Sequence, residues 1–200
     1  MTKQKRPYDS QIYGPLKGLD YTSKFPFSGW QDNHLRISIG GWLSHNPPAL
    51  ELATLALEEL TRRRSELEAE MKFADYGLQP IGWLAKARKA VRDLADRMPA
   101  STKGRGRIYV VLRDGYTSQN EVYGAYVGST VKPIEKRYLE HRKGPRGARG
   151  LKTHGIEILY SLNAGLNPVA GNKTELRTRE TRLHEALAPV IPRVTGDVAF

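Results

Sequence analysis

The hydrophobic period changes once along this chain, and that change limits what each half can become. Before residue 100 the apolar side chains recur at helical spacing. From Ile108 onward they come in short β-branched and aromatic runs. Between the two lies "RMPASTKGRGR" (Arg97 to Arg107), a proline and small residues followed by glycines alternating with Lys and Arg, which reads as a boundary. The expected organisation is a mostly helical N-terminal module over 1–100 and a separate domain over 105–200.

The first 47 residues read as an irregular, aromatic-rich arm, with Phe25, Phe27, Trp30 and Trp42 as anchors and "HLRISIG" as one short strand. Residues 48–74 read as a single helix of roughly 40 Å. Its stripe is Leu50, Ala53, Leu57, Leu60, Leu67, Met71 and Ala74, broken by Arg64 and stopped by Gly77 and Pro80. A second helix over 81–98 carries Trp83, Leu84, Ala87, Val91, Leu94 and Met98 on one face. The two are expected to pair as a helical hairpin that binds DNA or mediates oligomerisation.

Beyond the boundary, "RIYVVLR" and "VYGAYVG" read as antiparallel strands joined through the turn-rich "DGYTSQNE". Pro133 opens a helix that runs to Lys143. "GIEILYSL" supplies a third strand, and Thr174 caps a last helix that ends before Pro189. The expected fold class is α+β, a small antiparallel three-stranded sheet flanked by helices behind the N-terminal helical module.

Charge narrows the choice of partner. The net charge is +11, of which residues 101–200 carry +8 and residues 1–100 carry +3. A basic domain is suited to an anionic partner such as nucleic acid. With no cysteine, disulfides and thiolate metal sites are excluded. No apolar run is long enough to span a bilayer and no signal peptide stands at the start, so a soluble, cytoplasmic protein is expected.

Several polar side chains fall where packing alone does not require them. Ile134, Arg137, Tyr138 and His141 share one helix face, and Tyr109 and Tyr126 lie in the two strands that precede it. Glu180 interrupts an apolar stripe of Leu176, Leu183 and Leu187, a costly place for a carboxylate without a cation or other partner. The series "IYV" (Ile108 to Val110), "YVG" (Tyr126 to Gly128), "RYLEH" (Arg137 to His141) and a late Glu180 followed by Pro189 resembles the GIY-YIG nuclease family over about the C-terminal half. Arg107 stands where the family has glycine, and no asparagine follows Pro189 in "PVIPRVTGD".

The resemblance implies a metal-dependent DNA endonuclease of restriction, phage or mobile-element type. Its catalytic residues are Tyr109, Tyr126, Arg137, His141 and Glu180, with the Tyr109 phenol as the base that activates water. An unperturbed phenol titrates near ~10, so His141 is the expected relay for its proton. Glu180 would hold one Mg²⁺, with Mn²⁺ able to stand in, and Arg137 would fork onto a phosphate. His184, four residues after Glu180, offers a second metal-ligand pattern without a third ligand. Arg142, Lys143, Arg146, Arg149 and Lys152 form a basic stretch expected to contact the nucleic-acid backbone. Cutting both strands of a duplex calls for a second copy, hence a homodimer or higher homo-oligomer. Two alternatives stay open on the residues alone: a non-catalytic nucleic-acid-binding protein on the same fold, and an RNA-directed nuclease.

Overall fold

A computed structural model of the chain describes residues 14–115, 123–143, 148, 150–170 and 172–196. Two compact units divide it, Met1–Leu84 and Ala85–Phe200.

In the N-terminal unit, helix α1 (Asp32–Leu43) packs on α2 (Leu50–Arg62) and α3 (Leu67–Asp75). The stretch expected to be a strand is therefore helical. Ile37 and Ile39 alternate with polar residues, which mimics a strand. The buried set is instead Leu35, Ile39, Trp42 and Leu43, at helical spacing, and Ile37 is 62% exposed. The long helix expected over 48–74 is two helices. Its stripe holds through Leu50, Ala53, Leu57 and Leu60, then fails, since Leu67 is 71% and Met71 58% exposed while Ala69 and Phe73 are buried.

The break falls at Arg64, whose φ of 59° is left-handed, unusual for a residue with a side chain. Arg63 fixes the turn. Its guanidinium donates to Asp32 Oδ1 at 2.7 Å, Glu59 Oε1 at 2.6 Å and the carbonyls of Phe27, Ser28 and Trp30. Arg62 binds the other side of the Glu59 carboxylate, through Nε to Oε2 at 3.0 Å. Burial pushes the Glu59 pKa up, but the bonds from Arg62 and Arg63 outweigh it and hold the carboxyl below its usual range.

Helix α4 (Leu84–Arg97) opens where the two units divide and, apart from Leu84, belongs to the C-terminal unit, whereas the expected boundary at Arg97–Arg107 places it in the N-terminal module. There Arg179 donates to the carbonyls of Met98 and Pro99, at 3.0 and 2.8 Å, satisfying groups just past the helix end. The sheet of this unit has four strands in the order β3-β1-β2-β4: β1 (Arg107–Arg113), β2 (Gly124–Thr130), β3 (Gly155–Ile158) and β4 (Val194–Gly196). The fold is α+β as expected, but the sheet is mixed rather than three-stranded and antiparallel. β1 pairs antiparallel with β2 and β3, and β4 adds to β2 in parallel. A three-residue strand is too short to show alternation, so "VTG" carries no strand signal in the sequence.

Helix α5 (Ile134–Lys143) and the short α6 (Leu151–His154) precede β3, and a 3-10 turn (Tyr160–Leu162) follows it. Helix α7 (Lys173–Leu187) is capped by Asn172, whose side chain accepts from Glu175 N at 2.7 Å, not by Thr174. Beyond β3, two asparagines stand in for a strand along β1. Asn163 Oδ1 accepts from Val110 N, and Asn167 accepts from Ile108 N and donates to Ile108 O, all within 2.9 Å. They fix the backbone on both sides of Tyr109. No described helix is long and apolar enough to cross a membrane.

Candidate active site

The β1–β2 register pairs Tyr109 with Gly128 and Val111 with Tyr126. Side chains alternate along a strand, so Tyr109 and Tyr126 are diagonal neighbours on one face. Their ring centroids are 6.2 Å apart. Gly128 makes this possible. A Cβ there would lie 2.7 Å from Tyr109 Cζ and Oη and 2.8 Å from Tyr126 Cε1, well inside contact. The glycine of "YVG" is thus the floor on which both phenols rest.

Helix α5 covers the same face. Its buried residues are Ile134, Tyr138 and His141, the face that the spacing identifies. The Tyr138 ring confirms the side: it lies 3.4 Å from where a Cβ on Gly155 would sit. His141 is 1% exposed, with Nε2 2.7 Å from Tyr109 Oη and its ring 5.6 Å from that of Tyr126. Arg137, one turn earlier, stands beside both tyrosines and Glu140; burial opposes the charge on its guanidinium, and these neighbours together more than offset it.

The direction of the His141–Tyr109 hydrogen bond follows from the other ring nitrogen. Nδ1 accepts from the backbone N–H of Ala148 at 2.7 Å, so it carries no proton. A neutral imidazole then has its proton on Nε2 and donates it to Tyr109 Oη. The relay expected from the sequence is therefore reversed in this arrangement: His141 gives a hydrogen bond to the phenol oxygen and leaves the phenol's own proton pointing elsewhere. Such a donor stabilises a phenolate.

The resting phenol is far from ionised. Burial, the largest effect, raises the Tyr109 pKa, and Tyr126 raises it further. Arg137 pulls it back, and the Glu180 carboxylate adds a smaller upward push.

Glu180 approaches from the other face. Helix α7 packs against the side that carries Ile108, as Leu176 shows: its Cδ1 lies 2.9 Å from where a Cβ on Gly106 would sit. Leu176, Leu183 and Leu187 fill that face with Glu180 among them, 7% exposed. Ser129, the cross-strand partner of Ile108, donates to Glu180 Oε2 at 2.5 Å. Ser129 directly follows the glycine under the phenols. The carboxylate and the phenols therefore meet where β2 ends and β1 begins, from opposite sides of the sheet, near enough for the Glu180 charge to act on Tyr109.

Four of the five expected side chains are thus clustered, and the fifth sits across the sheet from them at its rim. Ser129 and Gly128 complete the arrangement. The sequence offers only their adjacency to Tyr126 as a signal. Among the described residues, no group of three or more His, Asp and Glu side chains gathers as a metal cage. One carboxylate at a polar rim still fits Mg²⁺, which is commonly held by one or two carboxylates with waters and substrate phosphates completing its shell.

The expected backbone-binding residues differ in their surroundings. Arg142 donates to the Gly155 carbonyl, and its guanidinium lies 6.0 Å from the Tyr138 ring centre, so it braces α5 against β3. Lys143 and Lys152 are exposed. Arg146 and Arg149 lie outside the described residues, as does most of the "DGYTSQNE" loop. Comparison with protein-family models, with curated proteins and with solved structures gives no match for this chain, so its chemistry is read from its own side chains.

Proposed function

We propose that the C-terminal unit hydrolyses phosphodiester bonds in DNA, as a metal-dependent endonuclease that resembles the GIY-YIG family. The observation that carries this reading is the Tyr109–His141 contact: a buried phenol whose oxygen receives a hydrogen bond from a histidine locked in the donating tautomer, with a guanidinium alongside. A core tyrosine needs only one partner for its hydroxyl. Here the environment is arranged around the oxygen as an acceptor, which suits a base.

In this reading the Tyr109 phenolate takes a proton from water as the water oxygen attacks phosphorus. The P–O ester bond breaks, and the leaving oxygen takes a proton from solvent. His141 holds the phenolate oxygen through Nε2–H, and Tyr126 borders the water. Arg137 binds a non-bridging phosphate oxygen and offsets the charge that builds on the phosphoryl group. Glu180 would hold Mg²⁺, which supplies Lewis-acid stabilisation of that charge. One such site cuts one strand, so double-strand cleavage calls for two copies.

The test is incubation of the full chain with supercoiled plasmid, and separately with RNA, in Mg²⁺ or in EDTA. Plasmid nicking that needs Mg²⁺ and disappears in Glu180→Ala while DNA binding persists supports the enzyme. Binding by the wild type without cleavage points instead to a non-catalytic binder, and cleavage confined to RNA reassigns the substrate.

A further inference from the structure

Lys132 lies just past the end of β2, in a turn fixed by a bond from its backbone N–H to Thr130 Oγ1 at 3.0 Å. Glu140 lies on α5, three residues after Arg137. Its two carboxylate oxygens are divided between two cations: Oε1 accepts from Lys132 Nζ at 2.7 Å, and Oε2 accepts from Arg137 Nη1 at 3.3 Å. The bond from Lys132 comes first among the causes that hold the Glu140 carboxyl below its usual range. All three side chains are partly open to solvent, at 50% for Lys132, 32% for Glu140 and 30% for Arg137.

The geometry is that of an oxyanion bridging a guanidinium and an ammonium beside the two phenols. A phosphate makes the same contacts, because the guanidinium fork accepts carboxylate and phosphate oxygens alike and an ammonium binds either as a point charge. We propose that Lys132 is a second phosphate-binding cation of this site, and that Glu140 holds the place of a backbone phosphate until nucleic acid displaces it. The proposal rests on the phosphodiesterase reading above. Because both pairs are solvent-screened, the displaced carboxylate is a weak competitor. It raises the threshold for binding any lone anion without closing the site to a polyanion, whose many phosphates add affinity elsewhere.

A purely supporting role for Glu140, aiming Arg137, predicts the opposite sign on mutation. This makes the two separable. Binding of the full chain to a short labelled DNA duplex is measured by fluorescence anisotropy in EDTA over a series of salt concentrations. Glu140→Gln is expected to tighten binding about threefold to fivefold, the scale of releasing two exposed ion pairs. Lys132→Met is expected to weaken binding and to reduce the slope of log affinity against log salt by about one. Glu185→Gln, which removes the same charge from the Arg182 pair on α7, controls for net charge and is expected to tighten binding less.

A Glu140→Gln protein that binds no more tightly than Glu185→Gln, or a Lys132→Met protein with an unchanged salt slope, overturns the proposal. Plasmid cleavage in Mg²⁺ is scored separately. Cleavage with either binding result failing removes the Lys132–Glu140 assignment and leaves the nuclease reading in place. Binding results as expected without cleavage keep the phosphate cradle and remove the catalysis. A wild type that neither binds nor cuts removes both.

Discussion

Glu59 in the N-terminal unit and Glu180 in the C-terminal unit are both buried carboxylates, and the two units treat them differently. Glu59, 3% exposed, is clamped between Arg62 and Arg63, whose bonds extend to Asp32 and three carbonyls of the aromatic arm. Glu180, 7% exposed, meets an uncharged hydroxyl at the rim of a sheet. The first arrangement neutralises its charge locally and ties down a turn. The second sets a negative charge near a phenol that it makes harder to ionise. Overall charge divides along the same line: Met1–Leu84 has 10 Lys and Arg against 10 Asp and Glu, while Ala85–Phe200 has 22 against 11. The whole net charge therefore belongs to the unit with the Tyr109 cluster. Buried polar chemistry serves architecture in one unit and, on the proposed function, reaction in the other.

The largest expected effect tests that division. Tyr109→Phe is expected to lower plasmid cleavage about a thousandfold, or ~4 kcal/mol of barrier, the middle of the range for a lost general base. Thermal unfolding is expected to reflect only the buried Nε2–H of His141 left without its acceptor, about 1–3 kcal/mol. Full cleavage by Tyr109→Phe would falsify the catalytic assignment. The mirror experiment is Arg63→Ala. It removes one of the two arginines on Glu59 and the donor to Asp32 and three carbonyls, and is expected to cost ~3 kcal/mol of stability, read by urea unfolding. Cleavage per folded molecule is expected to hold. If Arg63→Ala removes activity at unchanged stability, the distinction between the two units is wrong.

What could be read from the sequence follows the same physics. The α5 face and the α7 face were legible because each repeats at helical spacing, and polar residues at those positions stand out against their neighbours: His141 beside Ile134 and Tyr138, Glu180 among three leucines. The paired strands were legible from β-branched and aromatic runs. The division of 48–74 into two helices was not, because Leu67 and Met71 continue the stripe in sequence while the bonds around Arg63 reorient the chain in space. The Glu140 bridge was equally hidden, since a carboxylate three residues after an arginine is the commonest pattern on any solvated helix. Asn163 and Asn167 carried no periodic signal at all, since their partners lie more than fifty residues away, on β1.

Gly128→Ala sharpens the comparison at intermediate scale. The added methyl must displace two rings, one of them held by His141, and overpacking of this kind costs ~1–3 kcal/mol. Circular dichroism and thermal melting are expected to show a folded but destabilised protein, with cleavage reduced because both phenols have moved. Gly40→Ala in the N-terminal unit is a matched control. Its Cβ would meet only the flexible Lys72 side chain, at 3.4 Å, and it is expected to leave cleavage unchanged.

Taken one pH unit at a time, the pH dependence is the smallest effect, about 1.36 kcal/mol. Tyr109 titrates above its ordinary value because of burial, so at neutral pH only a small fraction is phenolate. Below the pKa that fraction grows tenfold per pH unit, and the cleavage rate is expected to rise with a slope of about one in log units between pH 6.5 and 9. The upper limit comes from stability. With the folded pKa raised, the folded chain keeps its Tyr109 proton where the unfolded chain releases it, so stability is intact below about pH 10 and falls as pH rises beyond it. A metal-bound water gives a rising profile too, and the residual rate of Tyr109→Phe separates them. Loss of the slope in that variant assigns it to the phenol. A flat wild-type profile, or a slope that survives without the hydroxyl, would show that the cluster around His141 holds the ring for packing and not for proton transfer.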